Sequence, residues 1–496
     1  MLPDLFVRGC RSVFLTLLTA ILAAGQPVSA DLFTFTAGGT VELPAEYDGD
    51  QVRLLAPDRV YHFLKTDFQD ISARSLAHEE WVNREETALQ GDSFDRLDAA
   101  RWAWTHGLTR EAESLLRRPS APPAEAAGRL DRLRNRLAAL EPDWSEPDAL
   151  ALTGELGGKF AVARGPHVIL FHQHSEAEAA ERVELLEQVI RAFFLEFEDL
   201  GISLPHPKAR LVSVWYRTHR PYIDYLGRQG ASAFKNTRGF HHVTRGVVVA
   251  YDSRSDPEQV MGRDALDREQ AKLAGGADGS VNLLANTPEA RKLRDLERQR
   301  LLFDLRWREL DIGTAAHETI HQLVAQTGLA PGYPAFPAWL HEGLAMQYEP
   351  VVGGRWAGSA PVTPLRLRDY RAMPQPPALT DLLLDKGLGQ GYRREPYAAS
   401  WAWVHFLRTH HPRIWLALLE QLRSGGSAGG GGPGSGTSQQ RASAAILAKG
   451  PGSLKLWERQ WHERTAEFWK QPKSVKPVQA GQEVTPSGVK PTSSRN

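Results

Sequence analysis

The segment Thr314–Glu349 constrains the fold of this chain most, because it places ionisable side chains inside an otherwise apolar helix. His317, Glu318 and His321 follow the order H-E-x-x-H, and Gly328 supplies a residue that commonly ends helices. Residues four apart share a helix face, so both imidazoles can reach one ion. Burying these groups without a partner would cost several kcal/mol, which a metal ion would offset. The apolar stripe around them consists of Ala315, Ala316, Ile320, Leu323 and Val324.

A second helix is expected to begin at Pro337, because proline favours the first helical positions. This helix carries Glu342, 21 positions after His321. The loop Leu329–Phe336 is rich in proline and glycine and lets the chain reverse, and the small Gly343 permits close helix approach. Two imidazoles and one carboxylate around an ion would leave a fourth tetrahedral position for water, which is the arrangement of a catalytic zinc site.

These motifs resemble those of the gluzincin metallopeptidases, in which H-E-x-x-H is followed by a helix that carries E-G-x-A. Within that group the chain looks closest to an uncharacterised exported family, domain of unknown function 1570, over residues 155–470. The resemblance lies in HETIHQL, in PAWLHEGLAMQYE and in EPYAASWAWVHFL. It implies that His317, His321 and Glu342 bind Zn²⁺ and that Glu318 is the general base. It also implies an α+β, thermolysin-like fold with a small mixed sheet over the active-site helix and a helical C-terminal lobe.

The expected reaction is hydrolysis of a peptide or protein substrate. Zinc would acidify water and polarise the scissile carbonyl, and Glu318 would take a proton and deliver it to the leaving amine. Tyr397, in the first turn of a helix after Pro396, is a candidate oxyanion donor; simple packing of that helix is the competing interpretation. The resemblance further implies that an edge strand binds extended peptide, for which Arg245–Tyr251 is our candidate.

The sequence departs from better-known gluzincins in two places. It lacks the G-x-M-E-N signature that captures a free amino terminus in the aminopeptidases, which favours an endopeptidase. Met346 stands four residues after Glu342, where thermolysin-like enzymes carry an acid that orients a ligand histidine. The sequence alone therefore leaves that orienting acid unidentified.

The remaining chain suggests several further regions. Residues 31–75 contain about five short strand patterns and predict either a small SH3-like barrel or a plain β-hairpin cap. Residues 76–150 have helical periodicity and predict a helical hairpin, and both N-terminal modules are candidates for docking a partner or for regulation. The catalytic domain is expected at 155–470, with a Gly/Ser-rich loop at 424–440, and residues 471–496 predict a disordered tail.

Within the catalytic domain, three strands are expected at His167–Phe171, Arg210–Tyr216 and Arg245–Tyr251. A helix from Ser175 to Leu200 connects the first two of them. Residues 253–286 are polar and predict a surface insertion. A long polar helix is then expected to run from Thr287 to about Leu310.

Residues 1–30 predict a secretory signal peptide. Arg8 and Arg11 precede the apolar run Val13–Ala24, and Val28–Ala30 supplies a small-x-small cleavage pattern. We therefore expect export to the periplasm, the cell envelope or the medium, with an uncleaved anchor as the alternative.

Composition narrows the chemistry. The one cysteine, Cys10, lies in the segment expected to be removed, so any metal must be held by histidines and carboxylates. Basic and acidic residues number 59 each, which gives no excess positive charge for binding nucleic acid. No later segment predicts a transmembrane helix.

Three histidines near the motifs have unremarkable interpretations. His341 is expected at the surface, and His241 and His242 are expected to be ordinary residues of a β-hairpin, although they could flank the cleft. Two functions compete with an exported zinc peptidase: a catalytically silent, zinc-stabilised protein that binds peptides or envelope components, and a hydrolase that acts on another amide.

Overall fold

The structure is a computed structural model, and two compact units make up the part of the chain that it describes. Residues 31–79 and 270–302 belong to the smaller unit, and residues 80–269 and 303–470 to the larger one. The predicted signal peptide, residues 426–436 of the Gly/Ser-rich loop and the predicted tail at 471–496 lie outside the described residues. The described residues are 31–56, 59–72, 76–119, 124–147, 150–156, 159–275, 282–330, 336–388, 393–425, 437–450 and 453–470.

The smaller unit contains two three-stranded antiparallel sheets, with strand orders β2-β1-β6 and β3-β4-β5. Their strands are β1 (Asp31–Phe35), β2 (Thr40–Leu43), β3 (Ala45–Asp48), β4 (Gln51–Leu55), β5 (Val60–Leu64) and β6 (Phe68–Ser72). Buried phenylalanine rings from both sheets contact one another: the Phe35 and Phe63 ring centroids lie 5.0 Å apart, and those of Phe63 and Phe68 lie 5.7 Å apart. These contacts explain why apolar residues alternate along the strands.

The predicted SH3-like barrel is wrong, because none of the described sheets closes into a barrel. Two three-stranded sheets also exceed the simple hairpin cap that was the alternative. The chain passes from one sheet to the other at Pro44, which stands between β2 and β3. Proline has no N–H to donate to a ladder, so the chain leaves one sheet there and enters the other.

The helices that follow residue 75 are α1 (Leu76–Gln90), α2 (Ser93–Thr105), α3 (Thr109–Arg117), α4 (Ala124–Ala139) and α5 (Leu150–Glu155). The turn between α2 and α3 uses Gly107 at φ +78°, a conformation that favours glycine. The sequence predicts a separate helical module at 76–150. In the structure residues 80–150 belong to the larger unit, because the helices share a buried core with Leu195 and form an Arg136–Glu198 ion pair of 2.7 Å.

A five-stranded mixed sheet lies in the larger unit, in the order β10-β11-β9-β8-β7. The three inner strands are parallel and both outer strands are antiparallel to their neighbours. The elements are β7 (Ala161–Arg164), β8 (Val168–His172), α6 (Glu176–Asp199), β9 (Leu211–Tyr216), α7 (His219–Arg228), β10 (Gly239–His242) and β11 (Val247–Tyr251). The small mixed sheet predicted from the sequence is confirmed.

The predicted edge strand is wrong. Residues Val247–Tyr251 form β11, which pairs with β9 on one side and with β10 on the other. The edge is instead β10, in which His241 and His242 were expected only as ordinary residues of a β-hairpin. A tight turn with Gly246 at φ +64° folds β10 against β11 and covers the side that we expected to be open.

The rest of the larger unit is mainly helical. Its elements are α8 (Pro257–Gly275), α9 (Pro288–Gln326), α10 (Ala338–Ala345), β12 (Val351–Val352), β13 (Arg355–Trp356), α11 (Pro364–Arg371), α12 (Leu379–Leu383), α13 (Arg394–His410), α14 (Pro412–Gly425), α15 (Thr437–Lys449) and α16 (Leu454–Lys470). The last residues of α8 (270–275) and the first residues of α9 (288–302) belong to the smaller unit.

Two helical predictions need correction. The polar segment predicted as an insertion contains the helix α8. The helix expected to end near Leu310 continues without a break to Gln326, because no proline interrupts it and Gly313 is tolerated inside it. A Cβ at Gly313 would lie 3.3 Å from the Glu349 carbonyl oxygen, so glycine permits a close contact there. Among the described helices, none has the combined length and apolar character needed to cross a membrane.

Candidate metal centre

Two imidazoles and one carboxylate converge where α9 faces α10. The Nε2 atoms of His317 and His321 are 3.0 Å apart, and Glu342 Oε2 lies 3.3 Å from the first and 3.6 Å from the second. In the part of the chain that the structure describes, these residues form the one group of three or more potential ligands within 4.8 Å of one another. We call them the His–His–Glu triad. The structure thus brings together the three ligands predicted from the sequence.

The spacing of the triad suits a small tetrahedral ion. Ligand atoms about 2.0–2.1 Å from a tetrahedral zinc lie roughly 3.3–3.4 Å from one another. The three separations in the triad, from 3.0 to 3.6 Å, bracket that value. Two imidazole nitrogens and a carboxylate oxygen also match the donor atoms that zinc prefers. The residues present therefore fit the ion.

Close packing fixes the helix that carries Glu342. Gly343 lies against α13, where an added Cβ would be 2.7 Å from the Ser400 carbonyl oxygen and 2.5 Å from a Val404 methyl carbon. The first turn of α10 is capped from a distant loop, since the Asp385 carboxylate accepts hydrogen bonds from two backbone N–H groups at 2.8 and 3.0 Å. The small Gly343 therefore permits close packing of helices, as the sequence predicts. The helix that packs against it is α13 of the C-terminal part.

The orienting acid that the sequence leaves unidentified is Glu349. Its Oε1 lies 2.9 Å from His317 Nδ1, which directs Nε2 of that ring towards Glu342. Arg366 donates from Nε to one oxygen of Glu349 at 2.8 Å and from Nη2 to the other at 2.7 Å. Burial opposes ionisation of Glu349, but Arg366 and His317 outweigh it and lower its pKa to about 2. For His317, burial is likewise outweighed by Glu342 and Glu349, which raise its pKa to about 10.

Glu318 lies beside the triad and is 8% exposed. Burial raises its pKa, and the neighbouring His317 and His321 oppose that rise only in part. Gly239, on the edge strand β10, permits the sheet to approach this side chain, because an added Cβ would be 3.3 Å from Glu318 Cγ. A shielded carboxyl group with a raised pKa is suited to accept and release a proton.

Two further imidazoles, those of His341 and His241, lie near the triad. The His341 ring stacks on the His321 ring with centroids 4.0 Å apart and an interplanar angle of 24°. Our expectation that His341 is at the surface is therefore wrong, because α10 is packed and has no fully solvent-exposed side. His241 is also close enough to His321 for their charges to interact, and burial, reinforced by His321 and His242, lowers the pKa of His241 to about 3.

Tyr397 lies in the first turn of α13, where it is half-buried and packs against the main hydrophobic core of the larger unit. This location agrees with the packing interpretation, and an oxyanion role for Tyr397 stays a prediction. The residues that sequence reasoning missed are Glu349 and Arg366. For His241 the sequence left two interpretations open, an ordinary hairpin residue and a residue that flanks the cleft.

The comparisons with known proteins concern the same segment. Residues 311–424 match the family model described as a protein of unknown function (DUF1570). This match includes the whole triad and the helices α10 to α13, and it supports, over those residues, the uncharacterised family that the sequence resembles. Its description names no activity. No curated protein matches the chain.

Proposed function

We propose that this protein is an exported zinc-dependent peptidase of the gluzincin type, with a thermolysin-like catalytic domain and a preference for internal peptide bonds. In this proposal His317, His321 and Glu342 hold Zn²⁺, and Glu318 is the general base. The observation that carries the proposal is the convergence of the His–His–Glu triad beside a further, buried acid, Glu318.

The charge balance of the site supports a divalent cation. Glu318, Glu342 and Glu349 bring three carboxylates into the site, and Arg366 brings one guanidinium. With neutral imidazoles and ionised carboxylates, two negative charges remain. Buried charges are costly unless they are paired or coordinate a metal, and one Zn²⁺ supplies the missing charge. Protonated histidines would also supply it, but those rings could not act as metal ligands.

The chemistry follows from the side chains around the triad. A zinc ion held there supplies Lewis acidity, which polarises a carbonyl oxygen and acidifies water. Glu318 accepts the proton of the attacking water on its carboxylate and later delivers it to the leaving amine. Glu349 and Arg366 keep the His317 ring in one orientation, which is the usual task of groups that surround metal ligands.

The free backbone groups of the edge strand β10 are evidence for a peptide substrate. In the antiparallel ladder of β10 and β11, Tyr251 donates its N–H to the Arg238 carbonyl oxygen. The hydrogen-bonding positions alternate along such a ladder, so the backbone N–H and C=O groups of Gly239 and His241 point away from β11. An extended peptide could add to this edge by main-chain hydrogen bonds, and it would then run past Glu318.

The experiment that tests the proposal compares the wild-type protein with the Glu318→Gln variant. Both proteins should bind one zinc ion per chain, because Glu318 is not a ligand in this proposal. Hydrolysis of a mixture of denatured proteins, followed by mass spectrometry, should fall by about 10²–10⁴-fold in the variant. Glu289→Gln, an exposed change in the first turn of the same helix, is the matched control and should retain activity.

Two results would replace this proposal. A wild-type protein that binds zinc and peptides but cleaves neither proteins nor cell-wall amides would be the silent binding protein. Cleavage of cell-wall amides with no cleavage of proteins would identify the other type of hydrolase. Export is a separate part of the proposal, and fractionation of cells that express the full chain tests it.

A further inference from the structure

His241 lies on the face of the edge strand that packs against α9. Side chains two residues apart in a strand project to the same face. Gly239 is on that face, since a Cβ there would be 3.0 Å from Thr314 Cγ2 and 3.3 Å from Glu318 Cγ. The side chain of His241 therefore also projects towards α9, whereas Phe240 and His242 project to the opposite face of the sheet.

The hairpin fixes how far along the helix His241 lies. At one end, Gly239 is level with Thr314 and Glu318. At the other, the Gly246 carbonyl oxygen accepts a hydrogen bond from Gln322 Nε2 at 2.6 Å. Residue 241 lies between these two contacts, which places it beside His321. The electrostatic interaction between His241 and His321 agrees with this location.

The His241 ring has an unsatisfied polar atom. Its Nε2 is buried, and no residue that the structure describes forms a hydrogen bond with it. Buried side-chain nitrogens nearly always have a partner, so an exception calls for a ligand, a solvent molecule or a catalytic role. The neighbouring imidazole, His341, is stacked on the His321 ring, with ring centroids 4.0 Å apart.

We propose that His241 is a catalytic residue whose Nε2–H stabilises the oxyanion formed at the scissile carbonyl; this inference rests on the proposed function. Water adds to the carbonyl carbon, its proton moves to Glu318, and the carbonyl π electrons become a lone pair on oxygen. Nε2–H of His241 donates a hydrogen bond to that oxygen. When the C–N bond breaks, the lone pair re-forms the carbonyl and the amine leaves with the proton from Glu318. Such donors act because their hydrogen bond strengthens as charge develops.

The backbone and the side chain of His241 would then act on the same substrate. Its outward N–H and C=O groups would hold the peptide main chain at the edge of β10, and its ring would project on the α9 face of the sheet, beside His321. This arrangement assigns the oxyanion role to the sheet edge and leaves Tyr397 to pack α13.

The test compares His241→Leu, which removes the donor, with His241→Gln, which keeps an N–H. The matched control is His242→Leu on the opposite face of the same strand. With a fluorogenic peptide derived from an observed cleavage product, His241→Leu should lower kcat by about 10²–10³-fold with little change in KM. His241→Gln should recover part of that loss, and His242→Leu should stay near the wild-type rate.

Zinc affinity and the visible absorption of the Co²⁺-loaded protein separate the remaining outcomes. Both should be the same for wild type and His241→Leu if His241 is not a ligand. A weaker zinc affinity or an altered Co²⁺ spectrum would make His241 a metal ligand and overturn this inference. A zinc-loaded His241→Leu or His241→Gln variant with the full wild-type kcat would also overturn it while leaving the proposed function intact. A zinc-loaded wild-type protein without any hydrolysis would remove the proposed function itself.

Discussion

Helix α9 takes part in two clusters of charged side chains that are built differently. One is the surroundings of the His–His–Glu triad. The other, which we call the strand-end cluster, lies near the carboxyl ends of the parallel strands β8, β9 and β11. The strand-end cluster consists of Glu178, Arg182, Arg217, Asp252, Arg254 and Asp311.

Each acid of the strand-end cluster has an arginine. Arg182 lies 3.0 Å from Asp311, and Arg254 contacts both Asp252, at 2.6 Å, and Glu178. The carboxyl ends of parallel strands are where α/β proteins commonly bind ligands. Here three guanidinium groups already balance three carboxylates, so this cluster needs no ligand.

With neutral imidazoles, as metal ligation requires, the surroundings of the triad lack this balance, since Arg366 is the one arginine that the described residues pair with any of the three carboxylates. Two clusters on one helix, each with buried carboxylates, thus differ in whether the side chains of the protein complete the charge. The comparison teaches that burial of charged groups alone does not indicate a functional site. The informative feature is a set of convergent donor atoms whose charge the protein leaves unbalanced.

The largest expected effect on stability is in the strand-end cluster. Arg182→Met leaves Asp311 buried without its 3.0 Å ion pair and should lower the free energy of unfolding by about 3–5 kcal/mol. The double variant Arg182→Met/Asp311→Leu should recover much of this loss, because both charges are gone. Urea unfolding measures both effects. Zinc affinity should be unchanged in every folded variant, and a parallel loss of affinity would contradict the separation of the two clusters.

The next effect concerns the triad. Glu349→Gln weakens the group that orients His317 and should reduce zinc affinity by about 10–100-fold. The matched control is Glu198→Gln, which alters another buried glutamate–arginine pair, with Arg136 at 2.7 Å. That variant should lose stability and keep its zinc affinity. Equal zinc affinities in the two variants, measured by competition with a chelator, would show that Glu349 does not position the ring.

A smaller effect is expected from packing. Gly343→Ala forces a methyl group against Ser400 and Val404 and should cost about 1–3 kcal/mol of stability, with a loss of zinc affinity as Glu342 is displaced. In α7, a Cβ at Gly227 would meet no atom within 4 Å. Gly227→Ala should therefore be neutral or slightly stabilising. Thermal unfolding with and without zinc measures the difference, and wild-type behaviour of Gly343→Ala would contradict the packing argument.

The smallest effect is a pH dependence of the strand-end cluster. Burial raises the pKa of Glu178, but Arg254 and Ser175 outweigh it and hold the pKa well below its usual range. The stability from this lowered pKa is fully present above the pKa of an unfolded glutamate, about 4.3, and is lost as the pH falls towards the folded value. Glu178→Gln should therefore weaken the decline in unfolding free energy between about pH 5 and pH 2. An unchanged decline would exclude this contribution.

The sequence predicts the triad because its signals are local. The i, i+4 spacing of His317 and His321 and the expected start of a helix at Pro337 need only a few neighbouring residues. Glu349 was missed because we looked four residues after Glu342, where Met346 is buried in the core. The acid that contacts His317 stands seven residues after Glu342, which corresponds to about two helical turns. Nothing in the sequence indicates Arg366 as its partner, since it comes from a separate helix.

The pairing of strands in the sheets was likewise beyond what local sequence patterns can predict. Individual strands follow from alternating or apolar runs, but which strands pair depends on contacts between distant residues. The two N-terminal sheets and the position of β10 at the edge were therefore not predicted. His241 looked ordinary for the same reason, because its importance comes from lying beside a helix some 80 residues later.

Quantitative zinc binding by the purified protein decides whether the His–His–Glu triad is a metal site. We expect one zinc ion per chain, lost in His321→Gln and Glu342→Gln and retained in Arg182→Met/Asp311→Leu. Removal of zinc by a chelator should lower the free energy of unfolding by about 3–4 kcal/mol, relative to zinc at 100–1,000 times its dissociation constant. A protein that binds no stoichiometric zinc, and whose stability a chelator leaves unchanged, would show that the triad is not a metal site.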